Sequence, residues 1–183
     1  MATEEQLIAA AKEGSVSAFS ELVEKYQERL LRFLLTRCRS RADAEDAIQD
    51  TFINAYRYIG SYNPRWRFST WLFRIALRNA AKIGRPTEEI ESDAPNTTPD
   101  PLEACIVASE RENLWLTAKR MLSRDAFSVM WLRYAEDMSV RDIARTLDKP
   151  MSWTKVTLMR SRRRLSTELA GDDDAMANGE AYG

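Results

Sequence analysis

A proline at position 150, set between two short amphipathic runs, constrains this chain more than any other feature. Ser139–Leu165 reads SVRDIARTLDKPMSWTKVTLMRSRRRL. In its first half Val140, Ile143, Ala144 and Leu147 recur at the spacing that gathers apolar side chains on one helical face. Pro150 cannot continue that helix and pushes Lys149 out of the helical region, so Asp148, Lys149 and Pro150 form a turn in which Asp148 takes a left-handed conformation. A second helix starts near Met151. Thr154, Leu158, Ser161 and Leu165 share its inward face, which leaves Trp153, Lys155, Val156, Met159, Arg160 and Arg163 outside. Two short helices about a tight turn, the second lined with cations, form a helix-turn-helix suited to the major groove of duplex DNA. Lysine and arginine neutralise phosphates there, and arginine pairs with a guanine edge through two hydrogen bonds.

The formal net charge of −1 hides an alternation. Residues 1–85 carry 14 basic and 10 acidic groups, residues 86–112 one and eight, residues 113–170 twelve and six, and residues 171–183 none and four. Two basic blocks are therefore separated by an acidic spacer, as expected of two nucleic-acid-facing modules joined by a segment that nucleic acid repels. The 183 residues suffice for one domain or two small ones.

With no histidine and only Cys38 and Cys105, the usual zinc sites are excluded, and no cofactor is implied. A di-iron centre of the helical-bundle type would need Glu-x-x-His pairs that the chain cannot supply. No apolar run is long enough to span a bilayer and the amino terminus lacks a signal-peptide pattern, so no membrane insertion and a cytoplasmic location are expected.

The helical period dominates elsewhere, so the fold class expected is all-α. Helices are predicted over Glu4–Lys12, Ser17–Thr36 and Asp43–Tyr58, and a fourth begins at Ser69 and runs to Gly84. These make one small four-helix bundle. Residues 86–101 (PTEEIESDAPNTTPDP) read as a flexible acidic linker. The chain turns helical again from Leu102 through Leu114–Leu122 and Ala126–Ala135 into the helix-turn-helix, and a second helical module over residues 102–170 is followed by a disordered acidic tail, residues 171–183.

Within the bundle, Asp43, Glu45, Asp46 and Asp50 place carboxylates on an exposed face of the third helix, where acidic residues near the start also favour the helix dipole. Residues 56–78 (YRYIGSYNPRWRFSTWLFRIALR) interleave aromatic rings with arginines. Unstacked bases rest on aromatic faces while cations follow the backbone, so this composition fits a single-strand surface. Aromatic residues at helical spacing usually fill a core instead, and Trp71 and Phe73 are expected to do largely that.

The succession AFSELVEKYQERLLRF, DAEDAIQDTFINAYRYI, FSTWLFRIALRNA, an acidic linker and SVRDIARTLDKPMSWTKVTLMRSRRRL resembles the extracytoplasmic-function group of bacterial sigma factors, in order and over most of the chain. The resemblance implies two modules, sigma regions two (residues 1–85) and four (residues 102–170), in a non-catalytic subunit that binds core RNA polymerase and promoter DNA. It implies that Asp43, Glu45, Asp46, Gln49 and Asp50 dock on the polymerase. Ser61, Tyr62, Asn63, Trp66, Phe68, Thr70, Trp71, Arg74 and Arg78 would capture the melted −10 element. Lys155, Val156, Met159 and Arg160 would read the −35 duplex, with Arg141, Trp153 and Arg163 on its backbone. An anti-sigma partner is a further implication. The motif FSTWLFRIA is usually followed by asparagine where this chain has Arg78, its own Asn79 coming one place later. A free-standing helix-turn-helix regulator is the alternative, and it would need a dimerisation or ligand module where this chain has its aromatic, arginine-rich bundle.

Overall fold

The computed structural model describes residues 2–83 and 110–179, with side chains of the second stretch over 114–168. All regular structure among them is helical, and the chain divides into two compact units, one built on its amino-terminal helices and one on its carboxy-terminal helices.

The first unit holds α1 (Glu4–Lys12), α2 (Val16–Leu35), α3 (Arg41–Tyr58), a 3-10 turn (Ile59–Ser61) and α4 (Phe68–Ile83). Side-chain caps set the first three starts. Thr3 and Gln6 form a reciprocal capping box on α1, Ser15 accepts from Ala18 N on α2, and Ser40 accepts from Asp43 N on α3. The caps move two predicted starts: α2 opens at Val16, and α3 opens at Arg41 because Ser40, not a residue beside Asp43, holds the free amides. Gly14, at φ +96, makes the reversal between α1 and α2 in a region that side chains disfavour. α4 starts at Phe68, so Ser69 lies inside the helix, where it is buried, and is not its cap.

The core of this unit is aromatic. On α2 Phe19, Leu22, Tyr26, Leu30 and Phe33 form the inward stripe, and Phe33 meets Phe73 of α4 at 5.3 Å between ring centres. Complete burial of a phenylalanine or leucine stabilises by about 1.5–3 kcal/mol, so these contacts dominate the unit. α3 presents small residues to its neighbours: Ala44, Ala47, Thr51 and Ala55 are all at 0% exposure, whereas Ile48 and Phe52, also predicted inward, are only half-buried. The small stripe lets α4 approach closely.

The carboxy-terminal helices are α5 (Glu110–Met121), α6 (Arg124–Tyr134), α7 (Val140–Leu147) and α8 (Met151–Gly179). Trp115 of α5 packs on Phe127 and Trp131 of α6 at ring distances of 5.7 and 4.9 Å. Ser139 accepts from Asp142 N and donates to the Asp142 carboxylate, which caps α7. Asp148 adopts φ +56, and Lys149 N donates to Ala144 O at 2.9 Å, closing α7 in the predicted left-handed turn.

α8 corrects the expected tail. Its backbone stays helical through Gly179, past the predicted end at Ala170. Residues 180–183, the predicted linker over 86–101 and the predicted helical start at Leu102 lie outside the described residues.

Candidate nucleic-acid interface

α8 sorts its side chains by face. Thr154, Ser161 and Leu165 are buried and Leu158 is half-buried, whereas Lys155, Val156, Met159, Arg160, Arg162, Arg163 and Arg164 are exposed. Two apolar side chains thus stand in water among cations: Val156 is 39% and Met159 62% exposed. Trp153 is half-buried with Lys149 Nζ over its ring at 5.3 Å, which fixes it beside the turn. Arg141 is exposed on α7. Every residue assigned from sequence to duplex contact is therefore at least partly accessible. Arg162 and Arg164 extend the basic face beyond them. They were visible in the RSRRR run, but period alone left them at its edges.

On α3, Glu45, Asp46, Gln49 and Asp50 are exposed and Asp43 is half-buried. Glu45 accepts from Arg41 Nε at 2.8 Å, one turn away. Asp46 and Asp50 make no ion pair among the described residues. The same face continues into Ile53, 55% exposed, and Tyr56, 42% exposed.

The segment from Ser61 to Arg78 divides, and three expected contacts are corrected. Tyr62 is 7% exposed, Phe68 2% and Thr70 1%. The Tyr62 and Phe68 rings meet edge to face at 5.3 Å and both touch Trp71 at 5.5 Å. Tyr62 OH donates to Trp66 O at 2.6 Å, and Lys12 Nζ donates to Tyr62 O at 2.8 Å. Burial, with the charges of Glu4 and Glu5, pushes the Tyr62 hydroxyl up in pKa and keeps it protonated. These rings are unavailable for stacking on a base. Tyr62 and Phe68 pack inward where the loop joins α4, and the composition of a loop has no period to reveal that direction. Ser61, Asn63 and Arg78 are exposed, and Trp66, Trp71 and Arg74 are half-buried. Asn63 Oδ1 accepts from Arg65 N at 3.0 Å, a turn that holds the loop.

Trp71 and Arg78 line a cavity of about 780 Å³ in this unit, together with Asn54 and Tyr58 of α3 and Ile75, Asn79 and Lys82 of α4. Asn54 was missed from sequence, and Tyr58 was read only as one of the rings of residues 56–78. Beneath the cavity Asn79 is buried, donating from Nδ2 to Thr51 Oγ1 and accepting at Oδ1 from Asn54 Nδ2, each at 3.3 Å.

Among the described residues no cluster of histidine, cysteine, aspartate or glutamate could hold a metal ion, and no helix is long and apolar enough to cross a membrane. A helical unit with a half-open aromatic and arginine cavity, and a helix-turn-helix with a bare basic face, define a DNA-binding protein of two modules. Comparison with known proteins gives the family. Sigma-70 region 2 matches residues 22–82 and Sigma-70 region 4 matches residues 113–165. The ECF RNA polymerase sigma-E factor of Haemophilus influenzae is 32% identical over 91% of this chain and 95% of its own length. RNA polymerase sigma-H factor of Pseudomonas aeruginosa is 28% identical over 91% and 93%. Among solved structures, CnrH in complex with the cytosolic domain of CnrY has a TM-score of 0.64 at 25% identity, covering 91% of this chain and 96% of that one. The chain belongs to the extracytoplasmic-function group of the sigma-70 family and is an RNA polymerase sigma factor.

Proposed function

We propose that the two units divide the work of promoter recognition: the first holds core RNA polymerase and melted −10 DNA, and the second reads the −35 element as duplex. The observation that carries this reading is the exposed face of α8, where Lys155, Val156, Met159 and Arg160 stand bare while Thr154, Ser161 and Leu165 fill the core. Arginine and lysine supply hydrogen bonds to base edges, and the exposed Val156 and Met159 supply apolar contact of the kind that recognises a thymine methyl. Arg141, Trp153 and Arg163 hold the backbone.

In the first unit Asp43, Glu45, Asp46, Gln49 and Asp50 form the polymerase contact, and Ser61, Asn63, Trp66, Trp71, Arg74 and Arg78 the strand contact. Tyr62, Phe68 and Thr70 support that surface from beneath. The protein makes and breaks no bond. It acts in the cytoplasm by contributing binding free energy that orients a polymerase otherwise indifferent to sequence and that keeps separated bases from re-stacking. An anti-sigma protein is a further partner in this reading, and the similar chain CnrH is itself seen in complex with the cytosolic domain of another protein, CnrY.

The test mixes the purified chain with sigma-free core polymerase and scores promoter-dependent transcripts. Arg160→Ala is expected to weaken −35-dependent initiation with polymerase binding intact, and Asp46→Arg to lose polymerase binding. Equal losses in both assays for both variants would show misfolding in place of divided roles. Sequence-specific duplex binding with no effect on polymerase would favour a free-standing regulator.

A further inference from the structure

We propose that Lys12, the last residue of α1, is a positioning residue for strand capture: acting through Tyr62, it holds the loop between the 3-10 turn and α4 in place before DNA arrives. This rests on the assignment of residues 61–78 to the melted strand and adds α1, a helix with no part in that reading. Lys12 lies fifty residues from Tyr62 in sequence, yet its Nζ donates to Tyr62 O at 2.8 Å and stands over the Tyr62 ring at 5.3 Å. One side chain thus grips both the main chain and the ring of the same residue.

The carbonyl that Lys12 holds belongs to the peptide joining Tyr62 to Asn63, so the bond fixes the plane from which the exposed Asn63 departs. Short contacts then set the rest of the loop. Asn63 O accepts from Trp66 N at 3.2 Å, and Asn63 Oδ1 accepts from Arg65 N at 3.0 Å. The Tyr62 side chain carries the same constraint further, its hydroxyl donating to Trp66 O at 2.6 Å and its ring meeting Trp71 at 5.5 Å. Three assigned strand contacts, Asn63, Trp66 and Trp71, therefore lead back to Tyr62, and Tyr62 leads back to Lys12.

α1 is suited to this bracing because its other end is also anchored. Glu4 accepts from Tyr26 OH at 2.8 Å, and the Tyr26 ring meets that of Phe68, the first residue of α4, at 5.6 Å. Between the two anchors Ile8 and Ala11 are buried. The first turn of α1 is thus tied through Tyr26 to the start of α4, and its last residue to the loop that precedes α4. Ordering a loop at the moment of binding subtracts from affinity, so a loop held beforehand binds its strand more tightly with no added contact to DNA. Lys12 in this role touches no nucleotide.

The experiment uses holoenzyme assembled from the full chain and core polymerase, a single strand selected by the wild-type holoenzyme from a random-sequence pool, and a scrambled strand of the same composition. Lys12→Met keeps the length of the stem and removes the donor and the charge. It should weaken binding of the selected strand by about threefold to tenfold, the loss expected when side chains must be ordered on binding, with polymerase assembly and duplex binding unchanged. Lys12→Arg, able to donate to the same carbonyl and to lie over the same ring, should restore the affinity. Tyr62→Phe, which removes the bond to Trp66 alone, should also weaken the strand, and the double variant should lose less than the product of the two single losses because both act through one loop. Unchanged strand affinity in Lys12→Met, or losses that multiply in the double variant, would overturn the proposal alone. So would a slope of log affinity against log salt lowered by about 1 in Lys12→Met, which would make Lys12 a direct phosphate contact, and so would an equal loss of polymerase assembly, which would make it a support of the fold. Wild-type holoenzyme that does not distinguish the selected strand from the scrambled one would overturn it together with the assignment of residues 61–78 to the melted strand.

Discussion

Asn79 of α4 donates to the hydroxyl of Thr51 of α3 at 3.3 Å, and both side chains are sealed from solvent. Thr51 passes its own proton to Ala47 O at 2.6 Å, one turn back, so the hydroxyl is satisfied as donor and acceptor. The pair joins the helix assigned to polymerase to the helix assigned to DNA, beside a second hydrogen bond between them, from Asn54 to Asn79.

Removing either member should therefore cost more than its size suggests. Thr51→Val leaves the Asn79 amide with an unpaired donor, and Asn79→Ala leaves a small void beside a part-buried Asn54; each should destabilise by about 1–3 kcal/mol. In denaturant unfolding of the double variant, a coupling of at least about 0.5 kcal/mol is expected for side chains in direct contact. Simple additivity would show that the bond contributes nothing.

The lesson for reading such sequences lies in where period was available. α1 spans Glu4–Lys12 as predicted, and the predicted inward face of α8 is the observed one, because a helix repeats and the repeat exposes direction. Asp148 was legible for a different reason: Pro150 forbids continuation, and aspartate tolerates the left-handed region. Between Ser61 and Phe68 no repeat operates. Tyr62 and Phe68 look like a stacking surface by composition and are core by position, while Trp71, on a helix, is both, one edge against the core and one toward the cavity. Asn54 and Tyr58 enter the cavity only because α4 lies beside α3, a relationship between distant segments that no local pattern contains.

The contact between α1 and α2 titrates. Glu4 accepts from Lys25 Nζ and from Tyr26 OH. Burial raises its pKa, but those hydrogen bonds and the charges of Lys25 and Arg29 outweigh burial and hold the carboxyl below its ordinary value of 4.5. A depressed folded-state pKa means that stability is fully present above the ordinary value and is lost as pH falls through the folded one. The denaturant midpoint should fall as pH drops below about 4.5, and Glu4→Gln should flatten that part of the curve. An unchanged slope in the variant would assign the acid transition to other carboxylates.

The turn of the helix-turn-helix carries a small conformational cost. Asp148 sits at φ +56, a region that disfavours a residue with Cβ by about 1–2 kcal/mol, less for aspartate. Asp148→Gly should raise stability by up to about 1 kcal/mol or leave it unchanged, because glycine also gains entropy when unfolded. Asp148→Val, branched at Cβ, should lower it clearly. Thermal unfolding of the two variants checks the order, and a glycine variant less stable than the valine variant would remove the turn from this account.

Arg160 and Arg163 are both exposed on α8, yet the proposed roles give them different signatures. A base-reading arginine forms hydrogen bonds to one base pair, so Arg160→Ala should cost about 1–3 kcal/mol on a matched −35 element, and far less on one already mismatched at the contacted position. A phosphate-contacting arginine releases a condensed counterion whatever the sequence. Arg163→Ala should therefore weaken all duplexes alike and lower the slope of log affinity against log salt by about 1. Titrating holoenzyme with matched and mismatched duplexes at several salt concentrations separates the two. A sequence-selective loss in the Arg163 variant, or a uniform loss in the Arg160 variant, would overturn the roles given to these two arginines and place a different face of α8 against the bases.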